Sequence, residues 1–532
     1  MPILRACLLT ALALACCVQA DAARRMDASS AGLAADAPQM MVGRLELEWG
    51  DPDTQANSTT TPEGHFRATL VDDAGVRRAL DTGQALRAAE DLYALYGRRI
   101  AVSTVPVAAK SKGLRARRID AIVPIEDIAP ASVRARARAS VQRAEAIAGV
   151  TSWVTLMCKF NDIPTEQKTI DFFRSQYGSA IGQLDHYWQE VSYGQINLAG
   201  SDAYGWATLP QPRSYYVALD TTTNKDKADL NKLFEDCTAA HDANVNFAIN
   251  GGVQGVNMMF NGDLDGYAWG GGRCATLDGI NKCWSTTWNP PWSFGNLAPL
   301  SHEMGHAYGL PHANNADADN DPYDNPWDVM SDAWSNAVGN ATYGSLPKHI
   351  NIYSRNRLGW VAAARKLTVT AGSPARSIPV DRASLPGSPN RQMLILNYPD
   401  QSTRYYTLEV RKRGGNYENR LAGDAVIIHE VQSSRKEPSW SMDADTPPAN
   451  RANNEGSMFK VGETWISPDY AFRVTVESQT GEGFVVSVRP GPRKSLPGQG
   501  AQLSGAAKPA AAATTVTTRH VPRNFDRPDD RR

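Results

Sequence analysis

Residues 302–312 read His302-Glu303-Met304-Gly305-His306-Ala307-Tyr308-Gly309-Leu310-Pro311-His312, and they hold three of the nine histidines of this 532-residue chain. The pattern predicts a helix over 299–308, on which His302 and His306 are one turn apart and share a face. Both imidazoles can therefore bind one metal ion. Gly309 permits the chain to leave the helix in a sharp turn, and that turn brings His312 back as a third ligand.

Three imidazoles with an open fourth position are typical of a catalytic zinc site, whereas a structural site is closed by four protein ligands. Zinc in such a site polarises a carbonyl group and lowers the pKa of water. Glu303 follows the first ligand directly, so we expect it to lie beside the metal and act as the general base. A second donor to the reacting oxygen would come from one of four side chains that the sequence does not rank: Tyr308, Tyr323, Tyr343 and His349.

A tight turn containing methionine is expected beneath such a site, and Trp327-Asp328-Val329-Met330-Ser331 supplies one. With this turn, the sequence resembles the metzincin clan of zinc metalloendopeptidases, and within it the secreted gametolysin and immune inhibitor A groups. Outside the zinc motif, segments such as 187–194 and 405–411 also resemble these proteins. The resemblance covers residues 150–490 and is weaker away from the motif.

The resemblance implies an α+β fold, in which a twisted sheet carries an active-site helix and a lower subdomain begins at Gly309. It also implies a secreted enzyme that hydrolyses peptide bonds, with residues in three roles: zinc ligands His302, His306 and His312, the base Glu303, and the turn residue Met330. Asp332 stands where some metzincins have a tyrosine ligand, so no such ligand is expected. Some immune inhibitor A relatives have Asp at the position of His312.

The chain is too long for one ordinary domain. Its composition and patterns predict five parts: a signal peptide (1–20), an N-terminal pro-like α+β domain with a basic linker (21–150), the zinc metallopeptidase catalytic domain (151–365), a β-rich, sandwich-like C-terminal domain (366–490) and a disordered tail (491–532). The β-rich part is assigned from short apolar runs that turn residues separate.

The N-terminal unit shows alternating strands between residues 44 and 70, followed by helical spacing over 85–96. Residues 21–152 contain no cysteine, which excludes a cysteine-based latency, so inhibition by this unit would use a carboxylate or steric cover. Between 103 and 143, nine Lys or Arg residues stand against three acidic ones. This basic segment is either a linker open to proteolytic cleavage or the solvated face of a helix.

The N-terminus has the pattern of a signal peptide. Arg5 precedes an apolar run over 6–18, and Val18-Gln19-Ala20 places small residues where a signal peptidase reads them. We therefore expect a secreted protein. A periplasmic location and a lipid anchor at Cys16 or Cys17 are the less favoured alternatives.

Four cysteines follow the signal peptide. An even number of cysteines in an exported chain predicts two disulfides. The favoured pairing is Cys158–Cys237 with Cys274–Cys283, and four buried thiols are the alternative.

The charges nearly cancel, with 55 Lys and Arg against 56 Asp and Glu. This balance argues against a dedicated nucleic-acid-binding protein, which is normally basic. No stretch after the signal peptide reaches the ~18 apolar residues of a membrane span. We expect a monomer whose partner is a protein or peptide substrate.

An acidic run follows the third histidine, and it has two interpretations. Its carboxylates can bind calcium, which prefers oxygen ligands, and the alternating spacing selects four of them: Asp317, Asp319, Asp321 and Asp328. However, Pro322 stands where an EF-hand loop requires glycine. The alternative is a solvated polar loop whose Asp and Asn side chains set turns.

Two other functions compete with that of an endopeptidase. One is a secreted, zinc-containing protein that binds matrix or cell-surface material without catalysis, and the other is a zinc hydrolase acting on a non-peptide amide. Glu303 argues against the first, because a protein without catalysis needs no base. The long chain between Thr151 and Leu300 suits a cleft for a polymer.

Overall fold

A computed structural model describes residues 39–54, 63–107, 117–128, 147–317, 319, 321–445 and 455–491. The predicted signal peptide, much of the basic segment and the predicted tail beyond residue 491 lie outside the described residues. Within the described ranges, no helix is both long enough and apolar enough to cross a membrane.

The helices are short, and most of them lie in the middle of the chain. The α-helices are α1 (Thr82–Ala88), α2 (Ile125–Ile128), α3 (Ile170–Gln176), α4 (Leu184–Val191), α5 (Arg213–Tyr216), α6 (Leu230–His241), α7 (Pro291–Phe294), α8 (Leu297–Ala307) and α9 (Ile352–Arg357). The 3-10 turns are Leu92–Leu95, Ile249–Gly251, Ala363–Arg365 and Glu455–Ser457.

Strands form the larger part of the regular structure. Those of the N-terminal unit are β1 (Gln39–Pro52), β2 (His65–Val71), β3 (Arg77–Leu80), β4 (Arg99–Pro106) and β5 (Arg117–Pro124). Those of the middle part are β6 (Gly149–Val150), β7 (Trp153–Lys159), β8 (Ile196–Asn197), β9 (Asp202–Thr208), β10 (Val217–Asp220), β11 (Lys225–Ala228), β12 (Gly255–Phe260), β13 (Tyr267–Leu277), β14 (Ile280–Asn289), β15 (Ala313–Asn315), β16 (Val338–Asn340) and β17 (Gly344–Leu346). Those of the last part are β18 (Lys366–Thr370), β19 (Arg376–Asp381), β20 (Met393–Tyr398), β21 (Gln401–Arg411), β22 (Ala425–Gln432), β23 (Ser439–Ser441), β24 (Thr464–Ile466), β25 (Phe472–Gln479) and β26 (Gly483–Pro490).

One ten-stranded sheet joins the N-terminal unit to the middle of the chain. Its order is β3-β2-β1-β13-β14-β12-β7-β9, with β4 beside β1 and β5 beside β4. β1 is the shared strand, because it pairs with β2, with β4 and with β13. Its last residues, Glu48–Pro52, lie antiparallel to Tyr267–Gly271 of β13.

The middle of this sheet is covered on both faces. Successive side chains of a strand point in opposite directions, so β7 contributes to two cores. Trp153 and Met157 pack in the core that contains Leu300 and Met304 of α8, whereas Val154 and Leu156 pack with Phe234 of α6. Every residue of α8 is buried.

The last part of the chain forms two further sheets, β15-β23-β22-β21-β20-β18 and β19-β26-β25-β24. Leu394 and Leu408 of the first sheet share one core with Val474 and Val486 of the second. β15 begins immediately after His312 and pairs with β23. The chain that leaves the histidine motif is therefore part of a sheet built mainly from the C-terminal third.

The single helix predicted over 85–96 is wrong. α1 ends at Ala88, Ala89 is extended, and a separate 3-10 turn begins at Leu92. The side chain of Asp91 caps this turn by accepting a hydrogen bond from the Ala94 N–H (3.1 Å). A local capping interaction thus outweighs the helical spacing of the apolar residues.

The favoured cysteine pairing is confirmed. Cys158 of β7 is bonded to Cys237 of α6, and Cys274 of β13 is bonded to Cys283 of β14. The first disulfide fastens a helix to the central sheet, whereas the second links residues that already face each other across an antiparallel ladder.

Removing the Cys158–Cys237 disulfide is expected to destabilise the protein more than removing Cys274–Cys283. The bonded residues are 79 and 9 positions apart, and loop-closure entropy assigns these separations about 4.5 and about 2.6 kcal/mol. Denaturant unfolding of the two paired Cys→Ala variants under non-reducing conditions measures the difference. Equal losses in the two variants would contradict this ranking.

Candidate metal centre

The HExxH segment lies on α8, and the predicted helix is confirmed with its start at Leu297. His302 and His306 point to the same side, and Nδ1 of each lies 2.6 Å from a backbone carbonyl oxygen, of Val329 and Leu310 respectively. A carbonyl oxygen only accepts hydrogen bonds, so Nδ1 must carry the proton in both rings. The Nε2 lone pairs are therefore left facing away from these carbonyls, as metal-binding imidazoles require.

The turn after α8 brings the third histidine back. Gly309 has φ of +88°, a conformation that glycine adopts without a steric penalty. The Leu310 N–H donates to the carbonyl oxygen of Gly305 (3.0 Å) and closes the helix end. Nε2 of His306 consequently lies 3.0 Å from Nε2 of His302 and 3.1 Å from Nε2 of His312.

A fourth group comes from the N-terminal unit. Asp51, near the end of β1, places Oδ1 2.5 Å from Nε2 of His312 and Oδ2 3.2 Å from Nε2 of His306. Its Oδ2 is also 3.5 Å from Nε2 of His302. All four side chains are buried, and their ligand atoms lie within 4.8 Å of one another.

These four groups fit a metal ion. Two imidazoles whose Nδ1 atoms are bonded to carbonyl oxygens direct their Nε2 atoms, with the oxygens of one carboxylate, into the same buried space, and the buried Oδ2 of Asp51 has no hydrogen-bond partner among the described residues. Acceptors that face each other without a donor repel unless a cation lies between them. The Asp51, His302, His306 and His312 group can therefore hold a metal ion.

The electrostatics of the site follow from burial and from Asp51. Burial lowers the pKa of His306 to about 3, so this imidazole is neutral, which is the form that binds a metal. Burial also acts to lower the pKa of His302, but the Asp51 carboxylate outweighs it and raises that pKa. Conversely, burial acts to raise the pKa of Asp51, but the three imidazoles together lower it well below its ordinary value.

Glu303 lies in the same buried space as these four groups. Its Oε2 is buried and has no hydrogen-bond partner among the described residues. Burial raises the pKa of Glu303 well above its ordinary value, and the nearby charge of Asp51 raises it further. A carboxyl group with a raised pKa can hold a proton near neutral pH, as a general base must do after it has taken one.

Met330 lies beneath the helix, as the sequence predicted. A Cβ at Gly305 would overlap the sulfur of Met330, so the absence of a side chain at Gly305 lets the turn pack against α8. The carboxylate of Asp328 accepts a hydrogen bond from the Met330 N–H (2.8 Å) and fixes the turn. The preceding residue, Val329, supplies the carbonyl oxygen that orients His302.

The close approach of β1 depends on the glycines at 270–272 of β13. A Cβ at the first would overlap the carbonyl oxygen of Glu303, and a Cβ at the second would overlap that of Leu47. A Cβ at the third would lie 2.6 Å from the hydroxyl oxygen of Tyr96. Because these glycines have no side chains, α8 and the N-terminal unit can both pack closely against β13.

Trp49 covers the site from the same strand as Asp51. Its ring stacks on the imidazole of His306, with 4.8 Å between centroids and an angle of 6° between planes. Only 1% of Trp49 is exposed. The N-terminal unit thus contributes both a carboxylate and an aromatic cover to the histidine site.

Of the four predicted candidates for a second donor, the structure brings only Tyr323 to the site. Its hydroxyl donates to Oδ1 of Asp51 (2.7 Å). Burial raises the pKa of Tyr323 well above its ordinary value, so the hydroxyl keeps its proton. The other three side chains contact residues away from the histidines: Tyr308 contacts Trp153, Tyr343 contacts Ser175, and His349 contacts Glu190.

The acidic run forms a second cluster, but with a different membership from the predicted one. Asp317 and Asp319 converge with Asp324, and their ligand atoms lie within 4.8 Å of one another. Asp321 and Asp328 are not in this group. Asp328 instead holds the Met330 turn, and a turn at residues 322–323 interrupts the regular spacing that a calcium-binding loop of the EF-hand type requires.

Asp51 was not among the predicted site residues. The sequence predicted only that the N-terminal unit, if it inhibits, would use a carboxylate or steric cover. Asp51 and Pro52 end the alternating strand. This position at a strand end is the sequence feature that could have indicated Asp51, since a carboxylate there can reach into a neighbouring site.

No protein-family model matches the chain, and no curated protein matches it.

Gly305→Ala is expected to destabilise the protein by about 1–3 kcal/mol, because the added methyl group overpacks a filled core against Met330. Gly295→Ala is the matched control. Its Cβ would meet only the carbonyl oxygen of Pro291, at 3.5 Å, so we expect a change below about 0.5 kcal/mol. Chemical denaturation of both variants tests this, and equal effects would show that Met330 does not constrain Gly305.

Proposed function

We propose that the protein is an exported zinc endopeptidase made as a zymogen, in which the N-terminal unit occupies the catalytic site. The observation that carries the proposal is the convergence of His302, His306 and His312 in a buried site with a free Glu303 carboxylate oxygen beside them. A binding protein that uses zinc only for structure has no need of an uncoordinated buried carboxyl group at the metal.

Zinc bound by the three histidines would supply a Lewis acid that polarises the scissile carbonyl and lowers the pKa of water. Glu303 takes the proton from the attacking water and later gives it to the leaving amine. Tyr323 keeps its hydroxyl proton and directs it toward the position of the Asp51 carboxylate. In the active enzyme the same hydroxyl donates to the oxyanion that develops on the substrate.

The edge of β13 supports an extended peptide as the substrate. In the zymogen, Glu48–Pro52 of β1 pairs with Tyr267–Gly271 of this strand. When β1 leaves, these backbone groups lose their partners and become available to another extended chain. Main-chain pairing of this kind accepts many sequences, which suits a protein substrate.

Latency follows from Asp51. Its carboxylate lies where a substrate oxygen and water would have to enter, against all three histidines. It also competes for the Tyr323 proton and places a negative charge beside Glu303. The N-terminal unit thus blocks the metal, the base and the donor with one side chain.

Glu303→Ala is expected to lower the rate of casein cleavage by about 10²–10⁴-fold, the usual contribution of a general base, while zinc remains bound. His306→Ala is expected to lose both zinc and activity. Ser301→Ala is the matched control, because Ser301 is buried on the same helix and its hydroxyl has no partner among the described residues.

These assays use secreted protein whose N-terminal unit has been cleaved by limited proteolysis and then separated from the rest of the chain, with zinc content measured in parallel. Cleavage by the unchanged chain should stop when a zinc chelator is added. Full turnover in zinc-loaded Glu303→Ala would exclude the mechanism. Absence of cleavage by a processed, zinc-loaded wild type would favour a non-catalytic or non-peptide function.

Asp51→Ala is expected to make the uncleaved chain at least about tenfold more active on a short peptide, equivalent to about 1.4 kcal/mol of lost inhibition. Asp73→Ala is the control, because Asp73 is an exposed carboxylate of the same unit. Gel analysis must show that each chain stays intact during the assay. Equal, low activity in both variants would mean that steric cover by β1 suffices for latency.

A further inference from the structure

The acidic cluster of Asp317, Asp319 and Asp324 lies in the segment that joins His312 to the methionine turn. The ligand atoms of Asp317, Asp319 and Asp324 lie within 4.8 Å of one another, and ligands that share one calcium ion at about 2.4 Å are separated by no more than twice that bond length. Three carboxylates on a single short segment can therefore reach one ion without a change of fold.

The environment of Asp324 indicates that a ligand binds at this position. It is 2% exposed, and neither of its carboxylate oxygens has a hydrogen-bond partner among the described residues. A buried carboxylate without a donor or a cation is costly. None of the three carboxylates makes an ion pair with a Lys or Arg of the described chain.

The neighbouring charges make this position still less favourable for an unbound carboxylate. Burial raises the pKa of Asp324 to about 9, and the negative charges of Asp317, Asp321 and Asp319 act in the same direction. A bound divalent cation removes this repulsion.

We propose that Asp317, Asp319 and Asp324 form a calcium site that is separate from the histidine site. Three carboxylates and no nitrogen or sulfur ligand suit a hard cation rather than zinc. Asp319 is exposed and Asp317 is half-buried, so water can complete the coordination shell, as calcium sites allow.

The calcium site has a structural consequence for the histidine site, although it does not depend on catalysis. Tyr323, which donates to Asp51, directly precedes Asp324. Asn325, which follows it, donates from its side chain to the carbonyl oxygen of Asn314 in β15 (3.0 Å). A cation on Asp324 therefore fixes the segment that carries Tyr323.

The test measures the unfolding midpoint of the full, zinc-loaded chain as Ca²⁺ is added to calcium-free buffer. Ligand that binds only the folded state raises the midpoint. We expect a rise that saturates as one site, with a dissociation constant of about 0.1–1 mM, the range of extracellular calcium modules. Mg²⁺ at the same concentration controls for ionic strength and should give a smaller rise.

Asp324→Asn is expected to weaken calcium binding at least about tenfold. Without calcium, this variant should be no less stable than the wild type, because Asn has nearly the same shape and carries no charge that burial would disfavour. Asp321→Asn is the matched control, since it makes the same charge change in the same loop outside the ligand set, and we expect less than about a threefold effect. Asp319→Asn, at an exposed ligand, provides a second variant should Asp324→Asn fail to fold.

Equal weakening by Asp324→Asn and Asp321→Asn would overturn the site and leave only a general effect of negative charge. A folded wild-type chain whose midpoint is unchanged by Ca²⁺ would overturn it as well. Neither result bears on casein cleavage by the histidine site, so the two proposals fail separately.

Discussion

The structure depends on one constraint, which is that the acceptor atoms of Asp51, His302 and His306 face each other in a space closed to water. Two of the imidazoles are held in the acceptor orientation by the carbonyl oxygens that bind their Nδ1 atoms. Such an arrangement is stable only with a cation among the acceptors or with protons shared between them. The buried helix α8, the Gly309 turn and the Met330 turn all maintain this geometry.

The same constraint explains how the N-terminal unit is attached. Asp51 reaches the histidines because β1 is a strand of the central sheet, and further buried charges strengthen that join. Arg273 of β13 pairs with Glu46 and Glu48 of β1, and Glu46 also accepts the N–H of Cys274 (2.6 Å). Separating β1 from β13 would leave these charges unpaired, which costs more than breaking an exposed ion pair. In the proposed zymogen, cleavage of the connecting chain would leave these buried pairs intact, so full activity on a protein substrate would also require β1 to leave the sheet.

Much of the histidine site could be predicted because its parts are close in sequence. The i, i+4 spacing of His302 and His306, the glycine at 309 and the turn at Met330 each follow from local geometry, and the structure has all three. The favoured disulfides were likewise predicted. Asp51 could not be chosen from the sequence, because its contact with His312 joins positions 261 residues apart and depends on the pairing of β1 with β13. The members of the acidic cluster were predicted wrongly for a related reason. The chain turns at Pro322, so Asp324 joins the cluster whereas Asp328 bonds to the Met330 N–H. Residue spacing along the sequence does not predict such a turn.

The C-terminal sheets contact the segments that carry the histidine site and do not form an independent domain beside it. β15 leaves the histidine motif and pairs with β23, so the position of His312 is tied to the C-terminal sheet. The methionine turn is tied to it as well, because Arg411 of β21 donates to the carbonyl oxygen of Trp327 (2.6 Å) and the Trp327 indole donates to Ser457 (2.9 Å). Arg411 is almost fully buried, and it is neutralised by the carboxylates of Glu409 and Glu418. Loss of the C-terminal sheets would therefore free both His312 and the methionine turn that lies beneath His302. The β-rich part thus supports the positions of His312 and of the methionine turn, whose Val329 carbonyl oxygen orients His302.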